Sequence, residues 1–186
     1  MIWYSQPFST DKNIGRYYNR FMELLPDDGD WACFTDGDTL HLVSDYGKYL
    51  EEYIVAYPEV GMWTCMTNRV IQTYQLLHGI IDNNHDILRH RKLATANLQE
   101  NRLKMEVLAD ADFLLSGCMI MISKKAWRMA GGFSEGCLGV DNYMHAAVMK
   151  TEYKVGLMKG YYLYHFYRGD KHYSNTDHLK MEYSNG

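Results

Sequence analysis

Two carboxylates stand one residue apart, directly after a short apolar run in the first quarter of the chain. Asp36 and Asp38 flank Gly37 and follow the sequence Trp-Ala-Cys-Phe at 31–34. Such a run between turn signals is typical of a buried strand, and ligands of α/β proteins bind at the carboxyl ends of strands. Paired carboxylates repel one another unless a cation lies between them, and Mg²⁺ and Mn²⁺ prefer oxygen ligands. The triplet indicates a divalent-metal site that could bridge a diphosphate; the alternative is an acidic surface turn.

Two further segments carry side chains suited to chemistry. Asp141 follows a glycine-rich stretch that begins at 131–132, and it stands at the predicted start of a helix. A carboxylate there can act as a general base or orient a hydroxyl, and it can also cap the helix; the two roles are compatible. His165 ends an apolar extended run, and Arg168 follows it as a permanent cation suited to phosphate, or as a solvated surface arginine.

The elements that would position these residues alternate between strands and helices. Apolar runs predict strands, whereas apolar residues at steps of three and four predict helices. The polar stretch 84–109 is either one long helix or two helices with a break. The predicted strands are 1–4, 31–34, 60–66, 113–122 and 155–167, and the predicted helices are 14–25, 46–54, 124–129 and 142–153. This alternation predicts an α/β fold, a three-layer sandwich with a mostly parallel central sheet.

Composition excludes several classes of protein. The chain has 186 residues, of which 47% are hydrophobic and 23% charged, so extended disorder is not expected. The net charge of −4 and the lack of a Lys/Arg block argue against nucleic-acid binding. No apolar stretch approaches the roughly 18–20 residues of a membrane span. The cysteines are widely spaced without a CxxC pair, so we expect no disulfide framework or zinc site and a reducing cytoplasm; they are Cys33, Cys65, Cys118 and Cys137.

Taken together and in this order, the motifs resemble those of glycosyltransferases of the GT-A fold. The resemblance covers residues 12–168. The triplet at 36–38 looks like the DxD motif of that fold, and residues 13–19 look like the helix that precedes it in family 2-type enzymes. The stretch from 115–118 to Gly131-Gly132-Phe133 resembles the acceptor-side strand and GGF turn. Residues 164–168, Tyr-His-Phe-Tyr-Arg, are similar to the H-x-F-R stretch of polypeptide N-acetylgalactosaminyltransferases.

The resemblance implies a metal-dependent transfer of a sugar from a nucleoside-diphosphate sugar, a UDP-sugar first of all, to a hydroxyl acceptor. In that case Mn²⁺ or Mg²⁺ would be held by Asp36, Asp38 and His165. Asp141 would be the base or would orient the acceptor, which leaves retention or inversion of the anomeric centre open. Contacts to the nucleotide sugar would come from Gln6, Asn13, Arg16, Asp36, Gly117, Asn142 and Arg168.

The chain also departs from the family pattern. Only about 35 residues precede Asp36, where such enzymes have two or three strand–helix units. Either the compact domain, residues 1–168, builds its base pocket from one strand and one helix, or the nucleotide site is incomplete. Residues 169–186 are predicted to form a polar tail. The alternatives are a non-catalytic module that binds a sugar or nucleotide, and a nucleotidyltransferase; residues 6–10 lack the glycine-rich basic loop of the latter. The sequence indicates no oligomeric state.

Overall fold

The computed structural model describes residues 1–109 and 114–167, which form a sheet of seven strands and five α-helices. The strands are β1 (Ile2–Ser5), β2 (Trp31–Thr35), β3 (Thr39–His41), β4 (Val60–Thr67), β5 (Met105–Val107), β6 (Met119–Ser123) and β7 (Lys154–His165). The helices are α1 (Ile14–Leu24), α2 (Tyr46–Ala56), α3 (Ile87–Asn101), α4 (Lys124–Met129) and α5 (Val140–Val148), with 3-10 turns at Thr73–Gln75 and Leu77–Gly79. The α/β class and the single unit are as predicted.

The sheet is mixed, so the prediction of a mostly parallel sheet was wrong. Its strand order is β1-β2-β6-β4-β7-β3, with β5 also paired to β7. The pairs β1/β2 and β4/β7 are parallel, whereas β2/β6, β4/β6, β3/β7 and β5/β7 are antiparallel. A continuous apolar run shows that both faces of a strand are covered. The apolar run does not encode the direction of the strand. That direction depends on whether the connection before the strand crosses back to the other end of the sheet.

Helices pack on both faces of the sheet, and β2 shows why the run at 31–34 is apolar. All five of its residues are buried. Ala32 and Phe34 belong to the core shared with α1, α4 and α5, whereas Trp31 and Cys33 belong to the core shared with α2. Successive side chains of a strand point to opposite faces, so a strand covered on both sides has no solvent-exposed face for polar residues. The three layers predicted from the sequence are present.

The boundaries of several elements differ from those predicted. The helix at 124–129 agrees, but the strand predicted from 113 begins only at Met119. Residues 114–116 form no strand and are held by side chains, and a turn at 117–118 leads into β6. No apolar pattern reveals this arrangement. The polar stretch 84–109 contains one helix, α3, followed by the short strand β5. The helix α5 begins at 140 and ends at 148, earlier at both ends than predicted.

Two of the sequence predictions concern residues at the C-terminal end of the chain. The C-terminal tail, 169–186, and Arg168 lie outside the described residues. Among the described helices, none has the length and apolar character needed to cross a bilayer.

Candidate functional site

The turn between β2 and β3 carries Asp36 and Asp38. The backbone N–H and the Oγ1 hydroxyl of Thr39 both donate to the carbonyl of Asp36, at 3.2 and 2.7 Å, and so close the turn. In the antiparallel pair of β3 and β7, Thr39 lies opposite His165. The backbone N–H of Phe166 also donates to the carbonyl of Asp38, at 2.9 Å. The register of this pair therefore places the end of β7 beside the acidic turn.

Asp36, Asp38 and His165 meet at this edge of the sheet. The Nε2 atom of His165 lies 3.7 Å from Oδ2 of Asp36 and 3.3 Å from Oδ1 of Asp38. One ligand atom from each residue lies within 4.8 Å of the other two. Within the described residues, this is the group of three acidic, histidine or cysteine side chains close enough to share an ion. The two carboxylates suit Mn²⁺ or Mg²⁺, and an imidazole suits first-row transition metals, so the set can hold a divalent ion.

The orientation of His165 fits a metal ligand. Its Nδ1 lies 2.9 Å from the carbonyl of Arg69, which can only accept, so Nδ1 carries the proton. Nε2 is then the ring nitrogen that faces the two carboxylates. A ligating histidine usually has its second nitrogen bound in this way, because that bond fixes the tautomer and the plane of the ring.

Asn68 holds the backbone of the same histidine. Its Oδ1 accepts from the N–H of His165 at 2.7 Å, and its Nδ2 donates to the carbonyl of His165 at 3.0 Å. Nδ2 also donates to the carbonyl of Asp82 at 3.1 Å. Both Asn68 and His165 are buried, with 2% and 4% of their surface exposed. The imidazole is therefore fixed before any ligand binds.

The electrostatics of the turn favour a cation. Burial in the concave surface raises the pKa of Asp36 to about 6; nearby His165 opposes this rise, and the charges of Asp38 and Asp141 add to it. The side chain of Asp36 is 47% exposed and lines the cavity beside the turn. Carboxylates held this close together are costly to ionise, and a bound divalent ion removes that cost.

A cavity of about 620 Å³ adjoins the acidic turn, a size typical of small-molecule sites. Asp36 and His165 line it. Its other walls come from the N-terminal stretch at 7–9 and 12 with Ile14 and Tyr18 of α1, from residues 70–72, 115–118 and 137–142, and from Tyr167. The cavity thus lies between the proposed metal ligands and the loop that carries Asp141.

Asp141 lines this cavity and is fixed by backbone donors. The N–H groups of Gly117 and Asn142 donate to its carboxylate, the latter at 2.9 Å. Burial outweighs these bonds and raises the pKa of Asp141 above its usual value. The cap of α5 is Gly139, in a left-handed conformation at φ 73°, and Asp141 lies in the first turn of that helix. Asp141 is thus oriented toward the cavity and is not needed as the helix cap.

Gly117 and Asn142 lie beside it. A Cβ atom at Gly117 would lie 2.9 Å from both Cβ and Oδ2 of Asp141, so the close approach of the two segments requires glycine. Asn142 lines the cavity as well, and its buried Oδ1 has no hydrogen-bond partner among the described residues. A buried acceptor without a donor is costly, which makes this oxygen suited to a ligand hydroxyl.

Three predicted nucleotide contacts lie elsewhere. Gln6 is exposed beyond β1, and Gln6, Asn13 and Arg16 are not among the residues that line the cavity. Asn13 caps α1: its Oδ1 accepts from the N–H groups of Arg16 and Gly136, at 3.1 and 2.9 Å. The guanidinium of Arg16 pairs with Asp11 at 3.0 Å and with Glu135 at 3.4 Å. The side chains of Asn13 and Arg16 therefore attach α1 to the loop at 131–139.

Gly15 and Asn19 of the motif at 13–19 serve the same attachment, whereas Ile14 and Tyr18 line the cavity. A Cβ atom at Gly15 would lie 1.9 Å from the carbonyl oxygen of Ser134, so the loop packs directly on the helix backbone. Asn19 accepts at Oδ1 from the N–H of Phe133 and from Nε1 of Trp127, at 2.8 and 2.9 Å. It also donates to the carbonyl of Phe133 at 2.8 Å. The motif positions the loop that leads to Asp141.

Gln75 is a residue of the site that the sequence did not single out. It is fully buried; its Oε1 accepts from the N–H of Ser116 at 2.6 Å, and its Nε2 donates to Oγ1 of Thr64 at 3.0 Å. The hydroxyl of Tyr74 donates to the carbonyl of Leu114. In the same segment, Nδ1 of His145 accepts from the N–H of Leu115 at 3.1 Å. These side chains bind backbone groups of residues 114–116, which have no neighbouring strand to pair with. No local sequence pattern indicates such a role.

Comparison of the chain with models of protein families, and with curated proteins, gave no match.

Proposed function

We propose that the protein is a metal-dependent glycosyltransferase that moves a sugar from a nucleoside-diphosphate sugar, a UDP-sugar first of all, to a hydroxyl acceptor. One observation carries the proposal. Asp36, Asp38 and His165 lie within ligand distance of one ion, at the edge of a cavity that Asp141 also lines. This arrangement agrees with the order of motifs that resembles the GT-A glycosyltransferases.

Asp36, Asp38 and Nε2 of His165 would hold Mn²⁺ or Mg²⁺, and the bound ion would neutralise charge on the departing diphosphate. Arg69 and Asn68 keep the imidazole in the orientation for this role. Asp36 belongs to the proposed metal-ligand group and also lines the cavity, so it would contact both the ion and the donor.

Asp141 would accept the proton of the acceptor hydroxyl at its carboxylate. Its raised pKa makes it a stronger base than an exposed aspartate, and the N–H groups of Gly117 and Asn142 keep its orientation fixed. The unpartnered Oδ1 of Asn142 would accept from a hydroxyl of the bound sugar. If Asp141 is the base of a single displacement, the anomeric configuration is inverted; if it only orients the acceptor, both retention and inversion are open.

The test is turnover of nucleotide sugars by the full chain with Mn²⁺ and with a chelator. The parent should hydrolyse or transfer from a UDP-sugar only with the metal. Asp38→Ala and His165→Ala should abolish turnover and Mn²⁺ binding while circular dichroism still shows a folded protein. The control is Glu51→Gln, which removes an exposed carboxylate on α2. Variants that bind Mn²⁺ and cleave the donor like the parent would overturn the assignment.

A second candidate is a binding module of the same architecture without turnover. It is favoured by the position of Gln6, Asn13 and Arg16 outside the cavity lining, because the nucleotide then has fewer contacts than the resemblance implies. Such a module would gain thermal stability from a nucleotide sugar with Mn²⁺, about 2.7 kcal/mol at 100 times its dissociation constant, without releasing product. The same assay therefore separates the two functions.

A further inference from the structure

Lys12 lines the cavity from the stretch that precedes α1. Of the described residues that line the cavity, it is the only lysine or arginine. Its side chain is exposed, and its backbone lies in the left-handed region at φ 56°. Residues other than glycine avoid that region, and those found in it tend to cluster at functional sites.

The neighbours of Lys12 explain how this conformation is maintained. The hydroxyl of Ser9 donates to Oδ1 of Asp11 at 2.7 Å, and the N–H of Asn13 donates to Oγ of Ser9, also at 2.7 Å. Arg16 holds the other oxygen of Asp11 at 3.0 Å. The side chains on either side of Lys12 are thus tied to one another and to α1, while Lys12 is left on the cavity wall.

The charges in and around the cavity call for a cation at this position. Asp36 and Asp38 together balance the charge of a divalent ion, and Asp141 adds a further carboxylate to the lining. Each phosphate of a nucleoside-diphosphate sugar carries a negative charge of its own, and cleavage of the sugar bond adds another. The ion with its two carboxylates leaves this charge uncompensated. A lysine ammonium is a compact charge that binds phosphate well.

We propose that Lys12 forms the anion-binding part of the cavity, and that its ammonium contacts the diphosphate of the donor. This inference rests on the function proposed above, since it takes the diphosphate as the ligand. It gives Lys12 a role different from that of Asn13 and Asn19, which bind the loop at 131–139.

The test is calorimetric titration of the full chain with UDP, inorganic pyrophosphate and uridine, each with Mn²⁺. Lys12→Met should lower the affinity for UDP and for pyrophosphate by about tenfold or more, since a hydrogen bond to a charged group contributes roughly that much. Its affinity for uridine should be unchanged. Lys12→Arg should retain most of the affinity. Lys92→Met, at an exposed position of α3, is the matched control and should match the parent.

Lys12→Gly separates loss of charge from damage to the fold. Glycine adopts φ 56° without strain, so this variant should melt at or above the temperature of the parent and still bind the anions as weakly as Lys12→Met. If the parent binds UDP and pyrophosphate but Lys12→Met binds them equally well, the inference is overturned and the proposed function stands. If the parent binds neither with Mn²⁺, both are overturned.

Discussion

At the scale of single residues, the site is fixed through bonds to the backbone. Nδ1 of His165 is held by a carbonyl, and its own N–H and carbonyl are both held by Asn68. The carboxylate of Asp141 is likewise held by two backbone N–H groups. Such supporting bonds reduce the motion of the reacting groups, so substitutions that leave every proposed ligand in place should still change binding.

Replacing Asn68 with alanine tests this support. Asn68→Ala leaves the buried N–H and carbonyl of His165 without their partners, so we expect a loss of about 2 kcal/mol in the free energy of unfolding. Affinity for Mn²⁺ should fall by roughly 10–100-fold, although no proposed ligand is removed. Urea denaturation and metal titration measure the two effects. Asn83→Ala, at an exposed position, is the control, and equal Mn²⁺ affinity in both variants would contradict the role of Asn68.

Asp141→Asn tests the proposed base. The amide keeps the size of the side chain but cannot take up the proton of the acceptor, so turnover should fall by about 10²–10⁴-fold. Binding of UDP with Mn²⁺ should change little, because the substitution leaves Asp36, Asp38 and His165 untouched. Steady-state kinetics and calorimetry provide the two readouts. Full turnover in this variant would exclude Asp141 as the base.

At the scale of elements, α1 serves as the support of the loop at 131–139. Asn13 and Asn19 bind backbone groups of that loop, and Gly15 brings the helix backbone into contact with Ser134. The loop leads into α5, on which Asp141 and Asn142 lie. Asn13, Gly15 and Asn19 of the motif thus act through packing on the loop, whereas Ile14 and Tyr18 of the same helix line the cavity.

Gly15→Ala tests the contact with Ser134 through the sign of the change in the free energy of unfolding. Helix propensity alone would make alanine stabilising by up to about 1 kcal/mol. A Cβ atom 1.9 Å from the Ser134 carbonyl must instead displace the loop, and we expect a loss of roughly 1–3 kcal/mol and of turnover. Gly29→Ala has no atom within 4 Å of its new Cβ and should change stability by less than about 0.5 kcal/mol. A stabilising Gly15→Ala would refute the contact.

At the scale of the whole molecule, His41 connects several elements on the α2 side of the sheet. Its ring stacks on Tyr46 with centroids 4.0 Å apart, and its Nδ1 lies 2.6 Å from the hydroxyl of Tyr161. Burial lowers the pKa of His41 from 6.5 to about 4. Protonation of this ring opposes folding, so the stability of the whole chain depends on pH through it.

The sign of the pH dependence follows from the lowered pKa. Between about pH 6.5 and 4, the unfolded chain binds a proton at His41 that the folded protein does not, so the contribution of His41 to the free energy of unfolding falls as the pH falls through this range. Asp36, with its pKa raised to about 6, contributes with the opposite sign below that pH, so the effect of His41 is read from the difference between parent and variant. One such proton contributes a slope of up to about 1.4 kcal/mol per pH unit. His41→Phe should be less stable at neutral pH, because Tyr161 loses its partner, and should show a shallower slope. Urea denaturation across this range measures both, and an unchanged slope would show that His41 is not responsible.

The sequence by itself determined the features that depend on neighbouring residues. It gave the buried run that precedes the acidic turn, the helix at 124–129 and the extended run that ends at His165, because these patterns depend on which faces of an element are covered. It also placed Asp36, Asp38 and His165 in one proposed site through the order of motifs. The α/β class followed from the alternation of strands and helices.

Only the tertiary structure decided which segments meet. The antiparallel pairing of β3 with β7, which places His165 beside the acidic turn, and the reversed direction of β6 depend on contacts between residues far apart in the chain. The same holds for Gln75, whose role depends on a segment that lacks a sheet partner, and for Asn13, whose side chain binds the distant loop rather than a nucleotide. An apolar pattern indicates only that a residue is buried. Which residues it contacts depends on how the helices and strands pack together.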